Sequence, residues 1–505
     1  MRPDATEDDA ATEDDAVRLF IIGGRILVVA VMSSVLTAWP AAAQESIAIT
    51  PVTVIDVTDG SLQPNHTVLV EKHRIAAVGP ADEVPVPGNA EVVDGSDGYL
   101  IPGLWDMHAH ASRDGRADRF WPLFLAHGVT GIRDTGSYAD SLLYWRASSE
   151  RPDAAGPRIE IASPSLTGGE PPPLPGMGGP FEIRVADAAS AVAVVDSLAR
   201  QGIGVIKVYD GLPREAYFAV AARTRVLGMS LIGHVPLSVS LAEASDAGQK
   251  SFEHVSDLWA SCAAGGRTVL EDFAWAVARH GPASDSALTA RERLVGVLAF
   301  ADPDPVECGH VLERMETNGT WLTPTLTLLL GEFQPRQFDG DPRIRWVPSS
   351  LREQWSARPR MPPEQEAEIG RRMLTNAGRV VAIAHDAGVP ILAGTDASGL
   401  PYIFAGSSLH DELALLVEAG LTPLQALQTA TSNPARFLHR TNDLGTVEEG
   451  KLADLVLLEA NPLEDISNTQ RIGAVVADGR LYRRTELDGL LAEVEASVEQ
   501  VDNRE

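Results

Sequence analysis

Eight short apolar segments, separated by stretches with helical spacing, constrain this chain more than any other feature. They run over residues 99–107, 129–135, 158–162, 204–209, 230–235, 251–255, 321–326 and 390–395. Between them, residues 139–147, 186–201, 213–227 and 363–387 repeat their apolar positions with the period of a helix, as does a short stretch from Leu241. Strict β/α order predicts an α/β fold, a TIM-like (β/α)8 barrel whose parallel sheet closes on itself. The flanks read differently. Residues 46–98 and 440–485 are short β segments punctuated by Asp-Gly and Gly-Pro. The two chain ends are therefore expected to build one small β-sandwich domain beside a barrel spanning 99–439, with 486–505 as a C-terminal tail.

Such a barrel carries its active site at the C-terminal ends of its strands, and the ionisable residues fall there. His108 and His110 close the first segment, YLIPGLWDMHAH, and strand alternation sends both to the same side. Lys207 lies within GVIKVY on the fourth, where a buried ammonium is costly unless paired or chemically altered. His234 ends the fifth (LIGHV), His254 the sixth (SFEHV) and Asp396 the eighth (ILAGTD). A single histidine at a strand end is commonly just hydrogen-bonded. Six such residues, in order around one rim, are hard to explain by accident and mark a functional site. Imidazole and carboxylate suit zinc, with manganese, cobalt and iron left open by ligand type. Tyr209, two residues beyond Lys207, is placed either to hydrogen-bond a substrate carbonyl or to pack at the rim. Arg133 and Asp134 after the second segment read as structural, and His127 reads as a helix cap.

Composition narrows the partners. The net charge of −29 argues against nucleic acid or an anionic membrane surface, which leaves a small-molecule substrate. A homo-oligomer is left open. Residues 1–43 combine arginines, an apolar run from Val17 and a closing Ala41-Ala42-Ala43, the pattern of a signal peptide for a secreted or periplasmic protein. The acidic residues before Val17 suit such a leader poorly, so translation starting near residue 17 is one reading, and an uncleaved N-terminal anchor is another. Cys262 and Cys308 are too few for a four-cysteine zinc site or an iron–sulfur cluster, and they either pair or stay as two buried thiols.

The order HxH, Lys, His, His, Asp, with PGLWDMHAH, GVTGIRD, GPRI, IKVYDG, GHV, FEHV, AGTDA and LGTVEEGKLADLVLL, resembles the amidohydrolase superfamily in its imidazolonepropionase-like and Xaa-Pro dipeptidase-like branch. The resemblance covers the chain from about Ala48 to Tyr482. It implies two divalent metal ions, zinc first among the candidates. His108, His110 and Asp396 would hold the more buried ion, and His234 and His254 the second. Lys207, carbamylated by carbon dioxide, would bridge them together with a hydroxide. Asp396 would move the proton from nucleophile to leaving amine. The implied reaction is hydrolysis of the amide C–N bond of an Xaa-Pro-type dipeptide or an N-acyl amino acid; a cyclic amide or lactone is the alternative, and a metal-free binding relative the third reading. Mononuclear deaminases of the superfamily carry a glutamate three residues after the fifth-strand histidine, and here that position is Leu237.

Substrate contacts fall to the loops. Relatives often carry a TGGH-type run after the third strand, whereas this chain reads SLTGGEPPPLPGMGGP, so Glu170 is expected near the pocket mouth. There a carboxylate would favour a substrate amino group. Insertions over 256–320 and 328–362, the first containing RERLVGVLAF, are expected lids.

Overall fold

The computed structural model describes residues 46–111, 117–137, 139–151, 154–168, 182–281, 284–357, 361–397 and 400–503. The expected leader and Glu170 lie outside the described residues. The barrel begins with Leu104–Ala109 and continues through Val129–Asp134, Arg158–Ile161, Val205–Val208, Ser230–Gly233, Ser251–Glu253 and Trp321–Thr323. Consecutive strands pair in parallel, and a bridge between Ala162 and Val205 joins the third to the fourth.

The eighth segment, residues 390–397, meets its neighbours through single bridges, Leu322 to Ile391 and Ala109 to Ala397. Backbone hydrogen bonds reinforce both seams: Leu392 N donates to Leu322 O at 2.9 Å, Met107 N to Ala393 O at 2.8 Å and Asp396 N to His108 O at 2.7 Å. The ring is closed. Gly394 permits this approach, because a Cβ there would lie 2.7 Å from the His108 Cβ.

Both chain ends contribute to a second sheet. Its seven strands lie in the order Arg480–Arg483, Ile472–Ala477, Leu455–Leu458, Glu91–Pro102, Ile47–Ile55, Leu62–Glu71 and Arg74–Pro80. Pairing is antiparallel except between Ile47–Ile55 and Glu91–Pro102. Alternation then divides the side chains: Leu455 and Leu457 join Ile47, Ile49 and Leu100 in the sheet's own core, while Val456 and Leu458 face the barrel's core.

Two sequence expectations change. The apolar run 99–107 is not one strand: Tyr99–Pro102 pair with Leu455–Leu458 in the terminal sheet, and the barrel starts only at Leu104. Pro102 and Gly103 mark the break, and an unbroken apolar run cannot reveal a change of sheet. The expected tail is instead mostly a helix, Arg484–Asp502, with Leu487, Val494 and Val498 buried at helical spacing. It packs against helix Ala117–Ala126, and Asp502 accepts a hydrogen bond from Ser349 N at 2.8 Å.

The first insertion forms four helices, Ser256–Cys262, Gly266–His280, Asp285–Phe300 and Pro305–Asn318. A Cys262–Cys308 disulfide ties the first of these to the last, deciding between the two readings of these residues. Among the described residues no helix is long and apolar enough to cross a membrane.

Candidate metal centre

His108 and His110 leave the first barrel strand on the same side, as alternation requires, with ring centroids 5.5 Å apart. Asp396 comes to meet them from the eighth segment. Its Oδ1 lies 3.4 Å from His108 Nε2 and 3.1 Å from His110 Nε2, and one ligand atom from each of the three falls within 4.8 Å of the others. Asp396 reaches this position with a left-handed backbone, φ +65°, a conformation that non-glycine residues adopt at a cost of about 1–3 kcal/mol and that clusters at functional sites.

The other expected ligands line the same cavity. Lys207, Tyr209, His234 and His254 border it together with His110 and Asp396. The His254 ring sits 4.9 Å from that of His108 and 4.8 Å from that of His234. Tyr209 lies over His234 at 4.3 Å. Lys207 is 2% exposed, and its positive charge works against protonation of both His234 and His254.

Each histidine is held by its Nδ1. The partners are Glu253 Oε2 at 2.7 Å for His108, the Gly136 carbonyl at 3.0 Å for His110, Asp210 Oδ1 at 2.8 Å for His234 and Thr325 Oγ1 at 2.7 Å for His254. Carboxylates and carbonyls only accept, so three of these rings carry their proton on Nδ1 and turn the Nε2 lone pair away from the support. Backbone strain assists again, since His254 has φ +68° and Thr325 φ +49°.

Charge follows this geometry. Burial works against the Asp396 carboxylate, yet His108 and His110 hold it well below the usual range. Burial, and then the charge of His234, pushes His254 well below its ordinary value. For His234 burial is outweighed by Asp210, which raises it. Asp106, two residues before His108, is pushed up to about 6 by burial, against hydrogen bonds from Thr395 and the His108 backbone. Through those bonds it fastens the eighth segment to the first strand, with Thr395 Oγ1 donating at 2.6 Å.

These residues fit a metal ion. His108 Nε2 and Asp396 Oδ1 are buried and neither makes a hydrogen bond of good geometry. Uncompensated burial of such groups is expensive, and a cation between them removes the cost. The donor set of imidazole nitrogens and a carboxylate is one that zinc accepts.

Glu253, Asp210 and Thr325 were missed by sequence reasoning. The first two adjoin residues it did single out, in SFEHV and KVYD. Also missed was Glu182, a carboxylate that borders the cavity and pairs with Arg184 at 3.2 Å. His127 caps its helix as expected, its Nδ1 2.7 Å from the Leu123 carbonyl, and Arg133 is buried within the barrel.

The sequence profile described as Amidohydrolase family matches residues 99–482. The chain belongs to the amidohydrolase family. Relatives of known name agree. An imidazolonepropionase from Anaeromyxobacter sp. (strain K) is 25% identical over 464 residues, covering 85% of this chain and 92% of that protein. Adenine deaminase 2 from Jannaschia sp. (strain CCS1) is 33% identical over 105 residues, and the match spans only 17% of that relative's length. Among solved structures, bottromycin amidohydrolase superposes with TM-score 0.69 at 24% identity, covering 90% of this chain and 91% of that one. A Xaa-Pro dipeptidase with bound methionine superposes with TM-score 0.62 at 20% identity, over 87% of this chain and 100% of that one. At these identities the likeness is one of fold.

Proposed function

We propose that this amidohydrolase is an exported, metal-dependent hydrolase of the amide C–N bond in small substrates, Xaa-Pro-type dipeptides or N-acyl amino acids. The observation that carries the reading is the convergence of three Nδ1-anchored histidines, Asp396 and Lys207 on one cavity at the strand ends, with His108 buried beside Asp396. His108, His110 and Asp396 would hold one divalent ion, and His234 and His254 a second. Carbamylated Lys207 would bridge them, which replaces a buried ammonium beside two histidines by an anion. Bound there, two zinc ions would polarise the scissile carbonyl and lower the pKa of attacking water.

The chain's own groups do the rest. Asp396, whose Oδ1 faces the cavity, takes the proton of the attacking water and returns it to the leaving nitrogen. Tyr209 hydrogen-bonds the carbonyl oxygen as negative charge develops on it. Glu182, a carboxylate at the cavity border, favours a substrate amino group. Supporting the substrate class is the shared fold with a Xaa-Pro dipeptidase and bottromycin amidohydrolase. Supporting export are the leader-like residues 1–43 and the Cys262–Cys308 disulfide.

A second reading, hydrolysis of a cyclic amide or lactone, draws on the imidazolonepropionase match. Metal content and a substrate panel separate them. Two ions per chain, with dipeptide or N-acyl amino acid hydrolysis abolished by chelation and restored by zinc, support the first. Turnover of cyclic substrates alone supports the second, and a chain that binds no metal overturns both.

A further inference from the structure

Resting on the metal-centre reading above, we propose that the buried Arg133–Glu253 pair is the positioning device of that centre. It makes the His108, His110 and Asp396 half grip its ion more tightly than the half built on His234 and His254.

Arg133 and Glu253 are both fully enclosed, with side chains 0% exposed. A buried ion pair of this kind contributes little net stability, because desolvation offsets the attraction. Its contacts instead converge on one ligand. Arg133 Nη2 reaches both Glu253 oxygens at 2.8 Å, and the carboxylate so fixed accepts a hydrogen bond from His108 Nδ1 at 2.7 Å. The same guanidinium donates its Nε to the carbonyl of Met107, the residue before His108, at 2.5 Å. His108 is therefore gripped twice, by its ring and by its backbone. Ser251 Oγ adds a bond to Glu253 and receives one from Arg133 Nη1 at 3.1 Å, and Phe437 closes the far side with its ring 5.0 Å from the guanidinium.

Across the cavity the support is thinner. Asp210 grips His234 with one oxygen at 2.8 Å, and its side chain is 43% exposed. A partner open to water has a competitor for each hydrogen bond. Outer partners of metal-bound histidines commonly change metal affinity by about 10–100-fold, and the rigid, dry pair belongs at the upper end of that range.

The test uses the full-length chain loaded with zinc and titrated against a chromophoric chelator, with circular dichroism and melting of the metal-free protein recorded alongside. Glu253→Gln should weaken the tightly held zinc about 10- to 100-fold, and Asp210→Asn should weaken only the looser one. Glu253→Asp keeps a charge for Arg133 while withdrawing the carboxylate from His108, so it guards against simple unfolding and should also weaken the tight zinc. An unchanged zinc Kd in folded Glu253→Gln or Glu253→Asp overturns the proposal, as does a melting point that falls without any loss of zinc affinity. Wild-type protein that binds no zinc would instead overturn the metal-centre reading itself.

Discussion

The two halves of the proposed centre each rest on a pair of histidines and differ in how these are anchored. His108, His110 and Asp396 meet where the first strand and the eighth segment close the barrel, with Asp106, Glu253 and Arg133 buried around them. Lys207 sits on the fourth strand and His234 at the end of the fifth, and the carboxylate beside His234 stands partly in water. His254, on the sixth, is held by Thr325 at the start of helix Leu326–Phe333. That start is fixed from elsewhere, since Glu412 accepts from Leu326 N at 3.0 Å and Thr327 N at 2.9 Å. One half is thus part of the barrel wall. The other also uses strand ends, but the support of His254 depends on a helix that packs against the wall.

The comparison breaks most sharply at Asp396. Asp396→Asn should lower kcat by roughly 10²–10⁴-fold, the range expected when an acid–base group is lost, while the fold and part of the metal remain. A kcat within tenfold of wild type, with metal content matched, would move the proton transfer to another residue. Next in size is Lys207→Ala. It should cut activity by about 100-fold or more through loss of the bridging group, lowering metal content from two ions towards one, with partial rescue by bicarbonate or short carboxylates. Retention of both ions and near-normal turnover would remove the carbamate from the scheme.

A smaller effect comes from the packing around the looser half. His410, on the helix that carries Glu412, is held down to about 4 by burial, from an ordinary 6.5. His127, whose carbonyl lies 3.0 Å from His410 Nε2, is held down to about 3, again by burial. Well above pH 6.5 both rings are neutral, folded or unfolded. As the pH falls below 6.5 towards 4, the unfolded chain takes up protons that the buried rings refuse, so stability declines by up to about 1.4 kcal/mol per pH unit for each ring. His410→Gln should remove one proton's worth of that slope in chemical denaturation at a series of pH values. An unchanged slope would assign the acid sensitivity to other groups. The smallest change is expected at Glu182. Glu182→Gln should shift the KM ratio between free dipeptides and N-acyl amino acids a few-fold in favour of the latter, and the shift should shrink as salt screens it. Identical ratios in both proteins would leave Glu182 to its ion pair with Arg184.

Much of the better-anchored half was legible in the sequence because it follows from alternation alone: His108 and His110 share a side, and an apolar run delivers them to a strand end. Its support was not. Glu253 and His254 are adjacent, so a regular strand would send them to opposite faces. The left-handed φ of +68° at His254 breaks that rule and lets both approach His108. No local pattern announces such a kink. Arg133 was legible as structural, but what it holds lies on the sixth strand, more than a hundred residues away. Asp210 carried a weak signal, a carboxylate at a strand end. Glu182 carried none, because a short strand pairing beyond the third barrel strand brings it to the cavity. The barrel was readable as eight periodic units, whereas the change of sheet within 99–107 and the docked terminal helix depend on distant partners.

Closure by the eighth segment has a consequence for synthesis. The ribosome delivers His108 and His110 early, yet the carboxylate that completes their set is made almost three hundred residues later. Until then the first strand has no partner on its open side, and its histidines lack the carboxylate that faces their Nε2 atoms. Contacts this far apart form slowly, because the intervening chain must first be ordered. The better-anchored half of the site is therefore among the last to be completed, and uptake of an ion there would mark the moment at which a nascent chain has become a closed barrel.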